Sequence, residues 1–270
     1  MDTRAQLVTT VAAQLPTALV ALDFDGTLSP LVDDPGSSRL APDAAGVIRG
    51  LAEAGARIAV VTGRDATTVL RLSGLTGVPG LSVDGLYGAE RWQDGHLQTL
   101  PDQPALTAAR AELPALMAAE PAADGVWVED KRLSLVLHAR VAADPVRALG
   151  AVGPSVVALA GRLGLEIHPG RDVLELRLPG YDKGGVLRRL VDEVRPSAVV
   201  YAGDDLGDLP AFAAVSGLRR AGLDAWSIAA GDPPLPEIVA AADLAVSGPA
   251  GLVELLGAIL AESSARADTR

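Results

Sequence analysis

The chain has 270 residues, a formal net charge of −11, three histidines and no cysteine. This length suffices for one large or two small domains with a buried core. The lack of cysteine excludes disulfides, thiolate catalysis and thiolate-bound zinc, and the scattered histidines disfavour a histidine-bound metal. A metal would therefore need oxygen ligands, which favours Mg²⁺, Ca²⁺ or Mn²⁺.

Charge and hydropathy also limit the partners and the location. Apolar residues make up 49% and charged residues 21% of the chain, a profile typical of a soluble globular protein. No apolar stretch reaches the roughly 20 residues that span a bilayer, and no secretory signal is visible, so we predict a cytoplasmic protein that binds no membrane. Without a basic run, nucleic acid is not expected as a partner. The sequence does not determine the oligomeric state, for which a monomer is the working expectation.

Short apolar runs at 18–22, 57–61 and 198–201 each end at a polar motif. Such runs are typical of strands buried on both faces of a parallel sheet. Helical patterns follow at 43–54, 66–72 and 184–194, with further strands at 225–229 and 244–246, a closing helix at 251–261 and a frayed tail at 262–270. The alternation predicts an open α/β sheet, in which ligands bind beyond the carboxyl ends of the strands.

Residues 99–179 have a different pattern. Helical segments at 105–119 and 145–163 are each followed by two strand-like segments, at 126–139 and at 165–178. This order predicts a small α+β domain with an antiparallel sheet. We therefore predict a core formed by 1–98 and 180–270, interrupted by an inserted domain at 99–179.

Two carboxylates, Asp23 and Asp25, follow the first apolar run and precede Gly26. Side chains at positions i and i+2 of a strand point the same way, so both can face one site. One carboxylate can attack while the other manages protons. The alternative is a turn in which Asp25-Gly26 caps the next element. The pairing of the acids favours the chemical interpretation.

The second and third motifs are individually weak. Thr62-Gly63-Arg64 follows the second run, where a hydroxyl and backbone N–H groups can hold a phosphate or cap a helix. Lys183 opens an amphipathic segment and is either a point charge for a phosphate or a solvated side chain.

Three acids, Asp204, Asp205 and Asp208, crowd the end of the third apolar run. Carboxylates this close repel one another unless a cation lies between them, and their hard oxygen atoms suit Mg²⁺. The alternative is a solvated acidic loop, which the strongly apolar run before it disfavours.

Taken in order, these four motifs resemble the signatures of the haloacid-dehalogenase-like (HAD) phosphatases. The resemblance implies a Rossmann-like parallel-sheet HAD core, an aspartyl-phosphate intermediate and an inserted α+β cap domain of the C2 type.

Within that superfamily the chain resembles the trehalose-6-phosphate phosphatases. The similarity is carried by DFDGTLSP at 23–30, VEDK at 128–131 and VLELR at 173–177. It implies hydrolysis of trehalose 6-phosphate to trehalose and phosphate. It also implies a substrate-binding set, which consists of Arg64, Glu129, Lys131 and Glu175.

The resemblance also implies the catalytic roles. The catalytic set is Asp23, Asp25, Thr62 and Lys183, and the set at a Mg²⁺ ion is Asp23, Asp25, Asp204, Asp205 and Asp208. Asp23 would attack phosphorus and Asp25 would transfer protons. Asp205 and Asp208 would either support the waters of the metal or position Lys183.

The sequence departs from the family in two places. The run 206–210 keeps Asp208 but lacks a hydroxyl and two acids, and 84–90 lacks a His-Gly pair that the family commonly carries. Three alternatives remain open: a phosphatase for sucrose 6-phosphate or a phosphoglycerate glycoside, a mutase, or a non-catalytic module that binds a synthase or senses the sugar phosphate.

Overall fold

The structure is a computed structural model that describes residues 2–170 and 172–268. Its contacts divide the chain into two units. The first consists of Met1–Gln98 and Asp182–Arg270, and the second consists of Thr99–Tyr181.

The strands are short, and most of those in the first unit are apolar. In chain order they are β1 (Leu19–Leu22), β2 (Arg57–Val61), β3 (Ser82–Gly85), β4 (Glu90–Gln93), β5 (His96–Thr99), β6 (Trp127–Asp130), β7 (Ser134–His138), β8 (Glu166–Gly170), β9 (Val173–Arg177), β10 (Ala198–Gly203), β11 (Asp224–Ala229) and β12 (Leu244–Ala245).

The helices alternate with the strands of the first unit and flank the strand pairs of the second. In chain order they are α1 (Thr3–Gln14), α2 (Ala44–Glu53), α3 (Ala66–Ser73), α4 (Pro104–Ala118), α5 (Pro145–Leu163), α6 (Lys183–Val194), α7 (Leu209–Arg220), α8 (Pro236–Ala241) and α9 (Gly248–Asp268).

Over the described residues, the first unit contains an eight-stranded sheet in the order β12-β11-β10-β1-β2-β3-β4-β5. The strands from β12 to β3 are parallel, and β4 is antiparallel to β3. From the central β1 the chain proceeds outward through β2 and β3, and later returns to the opposite side as β10. The carboxyl end of β1 is therefore a topological switch point, where open α/β sheets bind ligands.

Both faces of β1 are buried, which explains its uninterrupted apolar sequence. Val20 and Leu22 pack in one cluster with residues of α1, α2, α3 and α9. Leu19 and Ala21 pack in another cluster with residues of α6 and α7. The sheet is thus covered on both sides, and the polar residues that follow its strands lie at its carboxyl edge.

The second unit has, among its described residues, a four-stranded antiparallel sheet in the order β6-β7-β9-β8. Leu135 and Leu137 of β7 and Leu176 of β9 form a core with buried residues of α4 and α5. Because side chains alternate along a strand, the residues between them lie on the opposite face of the sheet.

One helix in the described part of the chain, α5, is long and apolar enough to cross a membrane by length and composition. The sequence had suggested no apolar stretch of that length. The helix buries Val152, Val156 and Leu159 in the core of the second unit. It therefore contributes one apolar face to that core.

The elements predicted from the sequence occur in the predicted order, with helix boundaries within one or two residues at α2, α3 and α6. The sequence analysis gave no prediction for α1, β3, β4, β5, α7 and α8. One expectation is wrong. The tail predicted at 262–270 is helical as far as Asp268, because α9 is longer than its apolar pattern indicated; 269–270 lie outside the described residues. The segment 84–90, which lacks the His-Gly pair of the family, includes the end of β3, a tight turn and the start of β4.

The close packing of α6 against α7 fixes the position of Lys183, the first residue of α6. A Cβ atom at Gly184 would lie 2.4 Å from the carbonyl oxygen of Pro210 in α7. Real Cβ atoms do not approach backbone so closely, so the two helices require glycine here.

We therefore expect Gly184→Ala to lower the free energy of unfolding by about 1–3 kcal/mol, because the helices must separate to accept a methyl group. The matched control is Gly46→Ala near the start of α2, where a Cβ atom would meet nothing within 4 Å. That change should raise stability by about 0.5–1 kcal/mol through helix propensity. Urea unfolding of both variants checks this, and equal effects would refute the packing explanation.

Candidate active site

Asp23 lies directly after β1, at the switch point of the sheet. Its backbone N–H donates to the carbonyl oxygen of Ala202 at 2.9 Å, so the chain continues in register with β10 for one more residue. The residue is 4% exposed. Its Oδ1 lies 3.0 Å from the Nζ of Lys183. A buried carboxylate is thus held against a buried ammonium group.

Gly26 makes room for the neighbouring acid. It has φ +78°, and a Cβ atom there would lie 2.0 Å from the Oδ2 of Asp204. A side chain would both strain the backbone and occupy the place of the Asp204 carboxylate. The glycine after the paired acids therefore allows the loops that follow β1 and β10 to meet.

Asp25 forms a bidentate ion pair with Arg64. The Nε and Nη2 of Arg64 donate to Oδ2 and Oδ1 of Asp25 at 2.5 and 2.6 Å. The remaining Nη1 donates to the carbonyl oxygen of Pro35 at 2.8 Å. The structure thus places Arg64 beside Asp25, where it donates hydrogen bonds to both carboxylate oxygens.

Lys183 is the first residue of α6. The preceding Asp182 caps this helix by accepting a hydrogen bond from the N–H of Gly185 at 2.6 Å. The Nζ of Lys183 lies 2.7 Å from Oδ1 of Asp208 and 3.8 Å from Oδ1 of Asp205. Helix capping and close helix packing together direct the ammonium group toward the acids.

Asp208 is buried and accepts four hydrogen bonds. Its Oδ1 accepts from the Nζ of Lys183 at 2.7 Å and from the hydroxyl of Tyr201 at 2.6 Å. Its Oδ2 accepts from the N–H groups of Asp204 and Asp205 at 3.0 and 3.1 Å. These bonds hold the loop after β10 and fix the ammonium group of Lys183.

Asp204 presents one carboxylate oxygen that is anchored to the protein. Its Oδ1 accepts a hydrogen bond from the hydroxyl of the buried Thr27 at 2.9 Å. Asp205, by contrast, has a side chain that is 62% exposed, and it caps the following turn through the N–H of Gly207 at 2.9 Å. The three acids predicted as a group therefore have different surroundings.

The electrostatics of this cluster follow from burial. Burial raises the pKa of Asp23 well above its usual value, against the attraction of Lys183. Burial, followed by repulsion from Asp205 and Asp208, raises the pKa of Asp204 to about 7. Burial alone lowers the pKa of Lys183, but Asp208 and Asp23 outweigh it and hold that pKa well above the usual value.

The residues present fit a hard divalent cation. Carboxylate oxygens of Asp23, Asp204 and Asp208 lie within 4.8 Å of one another. Lys183 compensates one of these three charges, and a cation would compensate the remainder. The donor set is oxygen alone, which suits Mg²⁺ better than a soft metal. Because all four lone-pair directions of Asp208 are used by donors, Asp23 and Asp204 are the better placed ligands.

Thr62 follows β2, the neighbour of β1, and is 1% exposed. Its Oγ1 accepts from the N–H of Arg64 at 3.1 Å within the loop that precedes α3. Asp65, not Thr62, caps that helix, by accepting a hydrogen bond from the N–H of Thr68 at 2.8 Å. Two main-chain hydrogen bonds connect Thr62 to the end of β3 and the turn after it. The N–H of Thr62 donates to the carbonyl oxygen of Asp84, and the N–H of Tyr87 donates to the carbonyl oxygen of Thr62, each at 3.0 Å.

Tyr87 was missed by the sequence analysis. Its backbone has φ +58°, and its side chain packs so closely on Gly63 that a Cβ atom there would lie 2.7 Å from the phenol oxygen. Thr27 and Tyr201 were missed too. Tyr201 was hidden inside an apolar run, and its hydroxyl was the available signal because a buried phenol requires a hydrogen-bond partner.

Glu129, Lys131 and Glu175 lie in the second unit, on the face of its sheet opposite the helices. Glu129 pairs in register with Val136, which on its other side pairs with Glu175. The two glutamates are thus two strands apart, about 10 Å. The Nζ of Lys131 lies 3.8 Å from Oε2 of Glu129. The structure therefore brings this predicted trio together on one face.

Several known proteins are similar to this chain in sequence. A family model described as trehalose-phosphatase matches residues 21–226. The trehalose-phosphate phosphatase of Mycobacterium marinum is 38% identical over 215 residues, which cover 74% of this chain and 52% of that protein. That of Mycobacterium tuberculosis is 34% identical over 226 residues, covering 74% of this chain and 56% of that protein. The chain spans about half the length of the curated relatives it matches.

A solved structure shows the same fold. The C-terminal domain of the trehalose-6-phosphate phosphatase of C. albicans superposes with a TM-score of 0.76 at 20% identity, covering 96% of each chain. This similarity confirms the predicted α/β architecture with its inserted α+β unit. Because the family model covers most of the chain and contains all four motifs, the chain belongs to the trehalose-phosphatase family.

Proposed function

We propose that this protein hydrolyses trehalose 6-phosphate to trehalose and inorganic phosphate. The observation that carries the proposal is the buried Asp23 carboxylate, held 3.0 Å from Lys183 and beside Asp204 at the carboxyl edge of the sheet. Such a site combines a nucleophile with positive charge for a phosphoryl group. Family membership supports the choice of sugar. The location in the cytoplasm and the monomeric state stay predictions from the sequence.

In the first step, Asp23 attacks phosphorus, and the bond from phosphorus to the sugar oxygen breaks. Asp25 donates a proton to the departing sugar oxygen. Because Arg64 occupies both oxygens of Asp25, this donation requires the guanidinium group to leave at least one of them. A dianionic phosphoryl group offers Arg64 a competing anion, which explains how one arginine serves both the resting site and substrate binding.

In the second step, Asp25 accepts a proton from a water molecule as that water attacks phosphorus. The bond between phosphorus and Asp23 breaks, which releases phosphate and restores the nucleophile. Thr62 and Lys183 donate hydrogen bonds to the phosphoryl oxygens in both steps. Asp208 keeps Lys183 in place, which is the second of the two roles considered for this acid.

A Mg²⁺ ion would be held by Asp23, Asp204 and the main-chain carbonyl of Asp25. Bound there, it would keep Asp23 ionised, orient it and neutralise charge on the phosphoryl group. We assign Asp205 to the water shell of the ion, since its side chain is largely exposed and already caps a turn.

Glu129, Lys131 and Glu175 would bind the hydroxyl groups of trehalose. Carboxylates accept hydrogen bonds from sugar hydroxyls, and an ammonium group donates to them. Their shared face on one antiparallel sheet supports this proposal, because the hydrogen-bonded strands β6, β7 and β9 fix the spacing of the groups.

Replacing Asp23 with Asn should reduce phosphate release from trehalose 6-phosphate by at least about 10³-fold, because the amide is a poor nucleophile. The measurement is a phosphate-release assay with sucrose 6-phosphate and a phosphoglycerate glycoside beside trehalose 6-phosphate. Thermal unfolding checks that the variant is folded. Full activity of the variant would end the proposed mechanism, and a preference for another sugar would end the proposed substrate.

Activity should require Mg²⁺, and the requirement should depend on pH. Mg²⁺ binds ionised Asp204, so protonation competes with the ion below the pKa of about 7. As pH falls from about 8 to about 6, the Mg²⁺ concentration for half-maximal activity should rise about tenfold.

Asp204→Asn should raise the Mg²⁺ requirement at least about tenfold, and its neighbour Asp205→Asn at most about threefold, since a direct ligand matters more than an outer one. Titration of chelator-treated protein with Mg²⁺ measures both. Equal effects of the two variants would contradict the assigned ligand set.

Changing Glu129 to Gln or Lys131 to Ala should lower kcat/KM for trehalose 6-phosphate by about 10–100-fold while leaving hydrolysis of a small aryl phosphate within about threefold. The matched control is Glu112→Gln on α4, an exposed glutamate paired with Arg162 on the helical side of the same unit. Equal losses on both substrates would mean that these residues do not bind the sugar.

A further inference from the structure

A large aromatic side chain is exposed beside the proposed sugar-binding residues. Trp127 begins β6, the edge strand of the sheet in the second unit, and is 47% exposed. It lies two residues before Glu129, so both side chains point to the face opposite the helices, while Val128 between them packs toward the core.

The indole ring of Trp127 is fixed from one side. It stacks on the imidazole ring of His138, its register partner on β7, with ring centroids 4.3 Å apart and planes 13° from parallel. The Nε2 of His138 lies 2.9 Å from Oε2 of Glu129. Glu129 thus holds the imidazole ring, and the imidazole ring covers one face of the indole. The exposed area of the side chain therefore belongs to its other face and its edge.

The polar groups next to this ring match the hydroxyl edge of a sugar. Glu129 lies two positions after Trp127 on β6, and Lys131 lies two positions after Glu129, just past the end of the strand, so each step is about 7 Å. A pyranose ring has nearly the same width. One face of such a ring presents C–H groups with a small positive charge, which the negative face of an aromatic ring attracts.

We propose that the exposed face of Trp127 is a stacking platform for one pyranose ring of the disaccharide, with Glu129 accepting hydrogen bonds from hydroxyls of the same ring. His138 supports the indole ring from the other side, and Glu129 contacts both the imidazole ring of His138 and the sugar. This inference rests on the proposed function in assigning a sugar to this face. It adds the residues that hold the apolar side of the sugar, which carboxylates and ammonium groups cannot bind.

The test compares Trp127→Ala with Trp127→Phe in two assays. In kinetics, Trp127→Ala should raise KM for trehalose 6-phosphate about tenfold, the value of one stacked ring, and should leave kcat for a small aryl phosphate within about twofold. Trp127→Phe, which keeps an aromatic face, should stay within about threefold of the unchanged protein. A loss in Trp127→Phe equal to that in Trp127→Ala, or equal losses on both substrates, would overturn the platform.

The second assay titrates the protein with trehalose, which has no phosphate, and follows tryptophan fluorescence. The fluorescence change should persist in Trp226→Phe, a partly buried position on β11, and should disappear in Trp127→Phe. A response that is absent, or that survives in Trp127→Phe, would overturn the inference.

The two proposals fail separately. If trehalose binding depends on Trp127 but no trehalose 6-phosphate is hydrolysed, the platform stands and the proposed activity falls. If trehalose 6-phosphate is hydrolysed equally by all Trp127 variants, the activity stands and the platform falls.

Discussion

One buried positive charge organises the site of this protein. The Nζ of Lys183 lies within 3.0 Å of both Asp23 and Asp208, and all three side chains are nearly or fully buried. Each of these charges would be costly in the interior by itself, so the cluster persists because its members compensate one another. Asp208 fixes the ammonium group of Lys183, which in the proposed mechanism leaves Asp23 available to attack phosphorus.

The excess of negative charge is the second constraint. Asp204 adds a further acid beside the cluster, and burial with repulsion raises its pKa to about 7. A site with this imbalance invites a divalent cation, which would relieve the repulsion and activate the nucleophile together. The same acids would repel a phosphate ester without the cation. Metal binding and substrate binding are therefore expected to depend on each other.

In the proposed function, the second unit binds the sugar. Its sheet presents Glu129, Lys131 and Glu175 on the face that carries no helices, and Trp127 stands beside them on a stacked histidine. A sugar has polar edges and apolar faces, so hydrogen-bonding groups and an aromatic surface are complementary to different parts of it. Because both belong to one sheet, the backbone hydrogen bonds between its strands fix their spacing.

The sequence by itself predicted most of the buried strands of the core and several of its helices. It also predicted the insertion and singled out Asp23, Thr62, Lys183 and Asp204 as candidates, because buried parallel strands have continuous apolar runs and their polar ends are abrupt. It could not separate the roles of neighbouring acids. Only the tertiary structure decided that Asp208 is saturated by hydrogen bonds, that Arg64 holds Asp25, and that Tyr87 packs on Gly63. Arg64 and Asp25, like Tyr87 and Gly63, are remote in sequence. Asp205 and Asp208 are close in sequence and of the same type, and differ only in their surroundings. Local patterns record neither the partner of a side chain nor its burial.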